Sequence, residues 1–284
     1  MNSMKRKTLK LIETNKALSK SRIPGIDYTI NPYFGCEFGC SYCYADFMSR
    51  FSKFRNVFPD DVEWGGFVGV KINIVERLEI ELRKIFARGS LIGERELNIW
   101  FSIMTDPYQF AEKKFLLTRK CLEVLLKYSG VGIKLNVGVL TRSPLVLRDI
   151  DLFKQFVGEK SIEIGISITT DNDNIRKIFE PKAPTIKSRI KTLEKLKKNN
   201  LKTFAFIGPI LPMDARELAN QISDFVDYVL IDKMNYVWRT AKIYRDNSIE
   251  FAMSDSYFSV VSEALVDEFS SKGIAVEVLF KNKS

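Results

Sequence analysis

NPYFGCEFGCSYCYA, residues 31–45, places Cys36, Cys40 and Cys43 within one short loop, with three residues between the first two and two between the last two. The remainder of the 284-residue chain holds one further cysteine, Cys121, and no histidine. Four cysteines cannot staple a chain of this length, so a tight group of three points to metal binding or redox work in a reducing compartment. The start, MNSMKRKTLKLIETNK, has basic residues but no continuous apolar stretch of the secretory kind, which makes the cytoplasm the expected location. No apolar run reaches the 18 or so residues of a membrane span, so no membrane partner is expected. The absence of histidine excludes Ser-His-Asp and Cys-His catalysis, c-type haem attachment and every zinc site that uses His. Any general base is then Asp, Glu, Lys or Tyr.

Outward from this loop the pattern is repetitive. Short β-rich runs occur at 97–103 (LNIWFSI), 133–140 (IKLNVGVL), 162–168 (IEIGISI), 203–207 (TFAFI) and 228–231 (YVLI), with YTI before the cysteines and FVGVKIN at 67–73. They are nearly continuously apolar, as buried parallel strands must be. Helical patterns separate them. Ile186, Ile190, Leu193 and Leu196 share one face of a 3.6-residue period, Asp214 with Glu217 forms a capping box, and Val261, Ala264, Leu265 and Phe269 share a face before Gly273. Strand and helix alternating every 25–40 residues predict βα units around a parallel sheet. The expected fold is α/β, a full or partial parallel βα barrel, with an open doubly wound sheet as the second choice. Residues 1–24, polar and basic, are expected to form an arm with little core of its own, and residues 25–284 one core domain.

Three thiolates can hold three irons of a four-iron, four-sulfur (4Fe–4S) cluster, and full ligation takes four. A three-cysteine loop therefore leaves one iron open to an outside ligand. Gly35 and Gly39, each directly before a cysteine, allow the loop to turn tightly and bring backbone N–H groups toward the sulfurs. Two other readings remain at this point: a structural zinc with a fourth ligand, and three unrelated core cysteines. Cys121 lies on a helical face with Leu117, Val124 and Tyr128, a core pattern.

CEFGCSYC resembles the C-x3-C-x2-C loop of the radical S-adenosylmethionine (SAM) enzymes, including the aromatic residue before the third cysteine, Tyr42. The stretches SKSRIPGIDYTINPYFGCEFGCSYCYADFM, WGGFVGVKIN, TDPYQFAEKKFLLTR, LTRSPLVLRDIDL, ISITT and FEPKAPTIKSR are similar, in that order, to the spore photoproduct lyase-like (SplB-like) branch. The resemblance implies a βα barrel, a 4Fe–4S cluster on Cys36, Cys40 and Cys43, and SAM on the open iron. It also implies reductive cleavage to a 5′-deoxyadenosyl radical that abstracts hydrogen from a substrate, and an electron donor such as ferredoxin or flavodoxin. Two departures stand out. FSIMTDPYQ lacks the cysteine through which the lyase returns hydrogen, and Phe38 stands where relatives often carry histidine.

In a parallel barrel the chemistry sits at the C-terminal ends of the strands. Thr105, Asp106, Arg142, Ser167, Thr169 and Gly208 fall there. The resemblance implies that Tyr42 lies beside adenine, that Arg142 binds the SAM carboxylate, and that Thr105 meets its amino-acid end. Asp106 would receive the ammonium group, Ser167 and Thr169 the ribose hydroxyls, Gly208 the adenine, and Arg189 a second anion. Each also has a plain structural reading: Ser and Thr cap helices, and Asp before Pro107 forms turns. Tyr33, Tyr44 and Tyr108 are expected to be packing aromatics, and Lys182 and Lys187 surface charges.

Lys and Arg number 44 against 35 Asp and Glu, a net charge of +9 that suits a polyanion. A nucleic-acid substrate, in repair or nucleotide modification, is therefore the leading expectation. The alternative is a non-catalytic iron–sulfur protein, either an electron carrier or a nucleic-acid-binding sensor. A zinc-stabilised nucleic-acid module is a third reading.

Overall fold

The computed structural model describes residues 8–50, 58, 62–89, 95–128, 133–158 and 160–280. The basic start of the expected arm, residues 1–7, lies outside the described residues. The chain forms two compact units. The first comprises Met1–Glu37, Ala45–Thr141 and Arg148–Glu163; the second comprises Phe38–Tyr44, Arg142–Leu147 and Ile164–Ser284.

The first unit holds strands β1 (Thr8–Ile12), β2 (Leu18–Lys20), β3 (Tyr28–Ile30), β4 (Tyr33–Phe34), β5 (Phe67–Lys71), β6 (Arg95–Phe101) and β7 (Ile133–Thr141). β3, β6 and β7 run parallel side by side, and β2 adds to β3 antiparallel. β5 stands between β1, parallel, and β4, antiparallel. Ile30, Leu97, Ile99, Phe101, Leu135, Val137 and Val139 form the interior. The segment expected as an arm with little core thus contributes two strands, and Ala17 and Leu18 are buried. Helix α1 (Ile74–Gly89) buries Ile74, Leu78 and Leu82, spaced four apart on one face, and packs on α2 (Leu117–Lys127). Leu116, the residue before α2, is left-handed (φ 56°) and offers no capping side chain. Buried Glu112 does the capping instead, accepting from the backbone N–H groups of Thr118 (3.0 Å) and Arg119 (3.3 Å).

β8 (Lys160–Ser167) ends in the second unit, which also holds β9 (Lys202–Ile207), β10 (Tyr228–Ile231) and β11 (Ala275–Val278). β9, β10 and β11 are parallel, and the chain leaving β8 lies beside β9, where Ile168 N–H donates to Phe206 O at 2.9 Å. The helices are α3 (Asp173–Phe179), α4 (Ile186–Lys198), α5 (Ala215–Ile222), α6 (Val237–Asp246) and α7 (Asp255–Ser271). α4 buries Ile186, Leu193 and Leu196 as its pattern predicts, but Arg189 lies deeper than Ile190. Asp214 accepts from Glu217 N–H at 3.0 Å, one half of the expected capping box. In the other half Asp214 N–H donates to Asp171 instead, at 3.0 Å. α7 buries Val261, Leu265 and Phe269 and stops before Gly273 (φ 73°), whose N–H donates back to Ser270 O at 2.9 Å.

The architecture is mixed α/β with parallel strands and βα connections, as the sequence predicts, and neither unit closes a barrel by itself. Among the described residues no helix is long and apolar enough to cross a membrane.

Candidate active site at the cysteine loop

The cysteine loop is held by its glycines and by one buried amide. Gly35 has φ +80°, and a Cβ there would meet the Phe67 ring at 2.5 Å and the Phe67 carbonyl oxygen at 2.6 Å, so no larger residue fits. Gln109, fully buried, brackets Cys36: its Oε1 accepts from Glu37 N–H (2.9 Å) and its Nε2 donates to Gly35 O (3.2 Å). Farther on, Cys43 N–H donates to Cys40 O at 3.1 Å, a tight turn that brings these two residues' backbones together. Cys36 and Cys40 are buried and Cys43 is half-buried.

In the first unit the loop after β6 carries Ser102, Thr105 and Asp106, all buried. Asp106 Oδ1 accepts from Tyr108 N–H (2.9 Å) and from the Thr141 hydroxyl (2.6 Å). That is the work of a turn former, and the geometry adds nothing to an ammonium role for Asp106. The Ser102 and Thr105 hydroxyls are buried with no hydrogen-bond partner among the described residues. A buried hydroxyl left so costs free energy, which marks both as waiting for a ligand or water.

In the second unit the centre is a residue the sequence reading did not single out. Glu180, which follows α3 and is fully buried, gathers Tyr42, Arg142, Thr169 and Arg189. Its Oε1 accepts from Thr169 Oγ1 (3.0 Å), from Arg142 Nε (3.4 Å) and, in a short bond, from the Tyr42 hydroxyl. Its Oε2 accepts a short bond from Arg189 Nη2. Arg142 Nη2 also reaches Tyr42 Oη at 3.0 Å, and its guanidinium lies 5.9 Å from the Tyr42 ring centroid. Tyr42, between the last two cysteines, is thus tied through Glu180 to Arg142 and Thr169. Burial alone would raise the Glu180 carboxyl. The guanidiniums of Arg189 and Arg142, with the hydrogen bonds from Arg189 and Tyr42, outweigh burial and hold it at about 2 against an ordinary 4.5. Burial, with Glu180 beside it, pushes the Tyr42 hydroxyl up, against the pull of Arg142.

Arg189, expected to contact an anion, is consumed inside the protein. It is fully buried, and besides Glu180 it donates to Ser167 O (3.0 Å) and Pro184 O (3.0 Å). A buried carboxylate requires a buried cation, and that requirement, not ligand recognition, accounts for its place. Stability follows from the same pair. A carboxylate whose pKa is depressed on folding stabilises above its unfolded value, and that contribution is lost as pH falls through the folded value. Unfolding monitored by circular dichroism is therefore expected to show stability level above about pH 5. It should then fall between about pH 4.5 and 2 by a share on the order of 3 kcal/mol from Glu180.

Ser167 Oγ is buried with no hydrogen-bond partner among the described residues, and Thr169 keeps acceptor capacity while donating to Glu180. Gly208 has an internal reason to be glycine: a Cβ would meet the Phe206 ring at 2.5 Å and Asp232 Cβ at 3.2 Å. Cys121 is fully buried on α2, as its apolar face predicts, and burial pushes its thiol up, with Glu112 adding to the effect. Tyr33 and Tyr108 are buried, and Tyr44 is 40% exposed.

Three thiols in one loop without a histidine, with left-handed glycines directly before the first two, fit the donor set of a cluster with one open iron. Among the described residues no group of three His, Cys, Asp or Glu side chains stands ready to hold a single metal ion. A cubane makes a different demand, because each of its thiolates binds a separate iron.

Residues 30–222 match the model of the radical SAM superfamily, and the chain belongs to that superfamily. A relative in Methanocaldococcus jannaschii, the uncharacterized protein MJ0683, is 31% identical over 275 residues, covering 94% of this chain and 95% of that protein. Among solved structures, a spore photoproduct lyase complexed with dinucleoside spore photoproduct superposes with a TM-score of 0.67 at 13% identity, over 95% of this chain and 82% of the lyase. SuiB of Streptococcus suis bound to S-adenosylmethionine superposes with a TM-score of 0.50 at 11% identity, over 95% of this chain and 48% of SuiB. These likenesses show a shared fold, of the spore photoproduct lyase-like kind.

Proposed function

We propose that this protein is a radical SAM enzyme acting on nucleic acid, in repair of damage or modification of a nucleotide. Within this reading residues 25–284 form the catalytic core, Cys36, Cys40 and Cys43 hold a 4Fe–4S cluster, and SAM occupies its open iron. The chemistry a bound cluster supplies is one-electron reduction of the SAM sulfonium, with the electron drawn from a donor such as ferredoxin or flavodoxin, giving a 5′-deoxyadenosyl radical. The chain's own residues bind and orient. Tyr42, held by Glu180, presents a fixed aromatic face for adenine. Arg142, whose Nε donates to Glu180 and Nη2 to Tyr42, would serve the SAM carboxylate, as the resemblance implies. Ser167 and Thr169 serve the ribose, and Thr105 the amino-acid end. Asp106 is kept for the ammonium group and Gly208 for the adenine by residue type alone.

The observation that carries this reading is the Glu180 hub, which ties the residue between two cysteines to Arg142 and Thr169 at the ends of two strands. The net charge of +9 supports a polyanionic substrate. Anaerobically reconstituted protein, reduced with dithionite and given SAM, is expected to form 5′-deoxyadenosine and methionine. An intact cluster with no 5′-deoxyadenosine would instead favour an electron carrier or sensor, and zinc in place of iron a structural nucleic-acid module.

A further inference from the structure

We propose that Tyr236, Trp238 and Arg239 form a stacking platform for the bases of single-stranded or extruded nucleic acid at the C-terminal edge of the second unit's parallel strands. This deepens, and rests on, the nucleic-acid reading above.

Trp238 is 71% exposed and Tyr236 53% exposed, although tryptophan is ordinarily among the well-buried side chains. The two rings share a partner. The Arg239 guanidinium lies 5.1 Å from the Tyr236 ring centroid and 5.4 Å from that of Trp238. Arg239 N–H also donates to Tyr236 O at 2.9 Å, which fixes the three residues as one piece. Tyr236 has φ +61°, a left-handed conformation disfavoured for an aromatic residue. Strain of that kind, spent on holding a ring out in solvent, marks functional positions.

Placement agrees. The platform begins where the chain leaves the C-terminal end of β10, the edge on which ligands of parallel sheets bind. Asp232, first after β10, abuts Gly208, its Cβ 3.2 Å from where a Gly208 Cβ would stand, and its carbonyl accepts from Ile210 N–H at 3.0 Å. The ends of β9 and β10 thus meet beside the platform.

Charge identifies the occupant. Residues 232–246 include the cations Lys233, Arg239, Lys242 and Arg245 against the carboxylates Asp232 and Asp246, an excess of two positive charges. Lys233 pairs with Asp255 (2.8 Å) and Lys242 with Asp246 (2.5 Å). Thr240 and Tyr244 bury the inner face of α6, which leaves exposed Lys242 and Arg245 outward. Flat exposed rings beside cations suit bases and phosphates together, the pattern by which single strands are held without sequence preference.

The test is fluorescence anisotropy of a labelled single-stranded oligothymidine titrated with the full chain, anaerobically reconstituted, at low salt. Trp238→Ala and Tyr236→Ala are each expected to weaken binding about tenfold or more, as loss of one stacked base does. Trp238→Phe, which keeps a ring, should retain most of the affinity. The salt slope should be unchanged in these variants and shallower in a Lys242→Ala/Arg245→Ala double variant. Wild-type binding that both alanine variants leave unaltered overturns the platform while the nucleic-acid reading stands. No binding by the wild type at low salt overturns that reading, and the platform with it.

Discussion

Glu180→Gln is expected to destabilise the protein by about 3–5 kcal/mol, because it removes the charge from a buried ion pair and leaves Arg189 uncompensated. Both partners of that pair are fully buried. The amide is nearly isosteric, so the loss reports charge and hydrogen bonding, not a cavity. A Glu180→Gln/Arg189→Met double variant is expected to recover at least half of the deficit, since removing the cation as well leaves no buried charge without its counter-ion at position 189. Urea unfolding of Glu180→Gln, Arg189→Met and the double variant checks this, and full additivity of the two single changes would contradict it. The acid limb between about pH 4.5 and 2 should flatten in Glu180→Gln, because the group that titrates there is gone. The same variant loosens Tyr42 and Arg142, so its apparent SAM affinity should fall more than its rate of cleavage at saturation.

The second large effect concerns the thiols. Cys36→Ala, Cys40→Ala and Cys43→Ala are each expected to abolish stable cluster incorporation and to lower SAM cleavage by more than the roughly 10–100-fold that partners one shell out cost a metal site. Cys121→Ala should leave iron content intact and affect stability alone, since its thiol is fully buried and held protonated. Iron and sulfide content, with 5′-deoxyadenosine formation, separates the two groups. Loss of iron from Cys121→Ala would mean that four protein thiols ligate the cluster and that no corner is open.

Much of the framework was legible because buried parallel strands must be apolar throughout. The runs at 97–103, 133–140, 203–207 and 228–231 fall on strands that span Arg95–Phe101, Ile133–Thr141, Lys202–Ile207 and Tyr228–Ile231. The strands that escaped notice are edges. β1 leaves Leu9 and Leu11 42% and 58% exposed, and is held by backbone pairing to β5, so its side chains carry no strong burial signal. β11, with mostly exposed side chains, was hidden in the same way.

The site was legible by type more than by role. The cysteine spacing and the hydroxyls at strand ends could be read directly, and Ser167 and Thr105 are each buried. Glu180 could not, because an acidic residue in FEPKAP looks like a solvated one until the turn between α3 and α4 returns Arg189 to it. Arg189 then changes meaning, from an anion contact to the buried counter-ion. Gln109 was hidden because its work, bracketing Cys36, joins residues more than seventy positions apart.

Electron paramagnetic resonance of the anaerobically reduced protein, with and without SAM, tests most directly whether three thiols leave one iron open. Added SAM is predicted to shift the g-values of the reduced 4Fe–4S signal, as expected when its amino and carboxylate groups take up the vacant iron. Superimposable spectra, with iron content intact and SAM in excess, would contradict it.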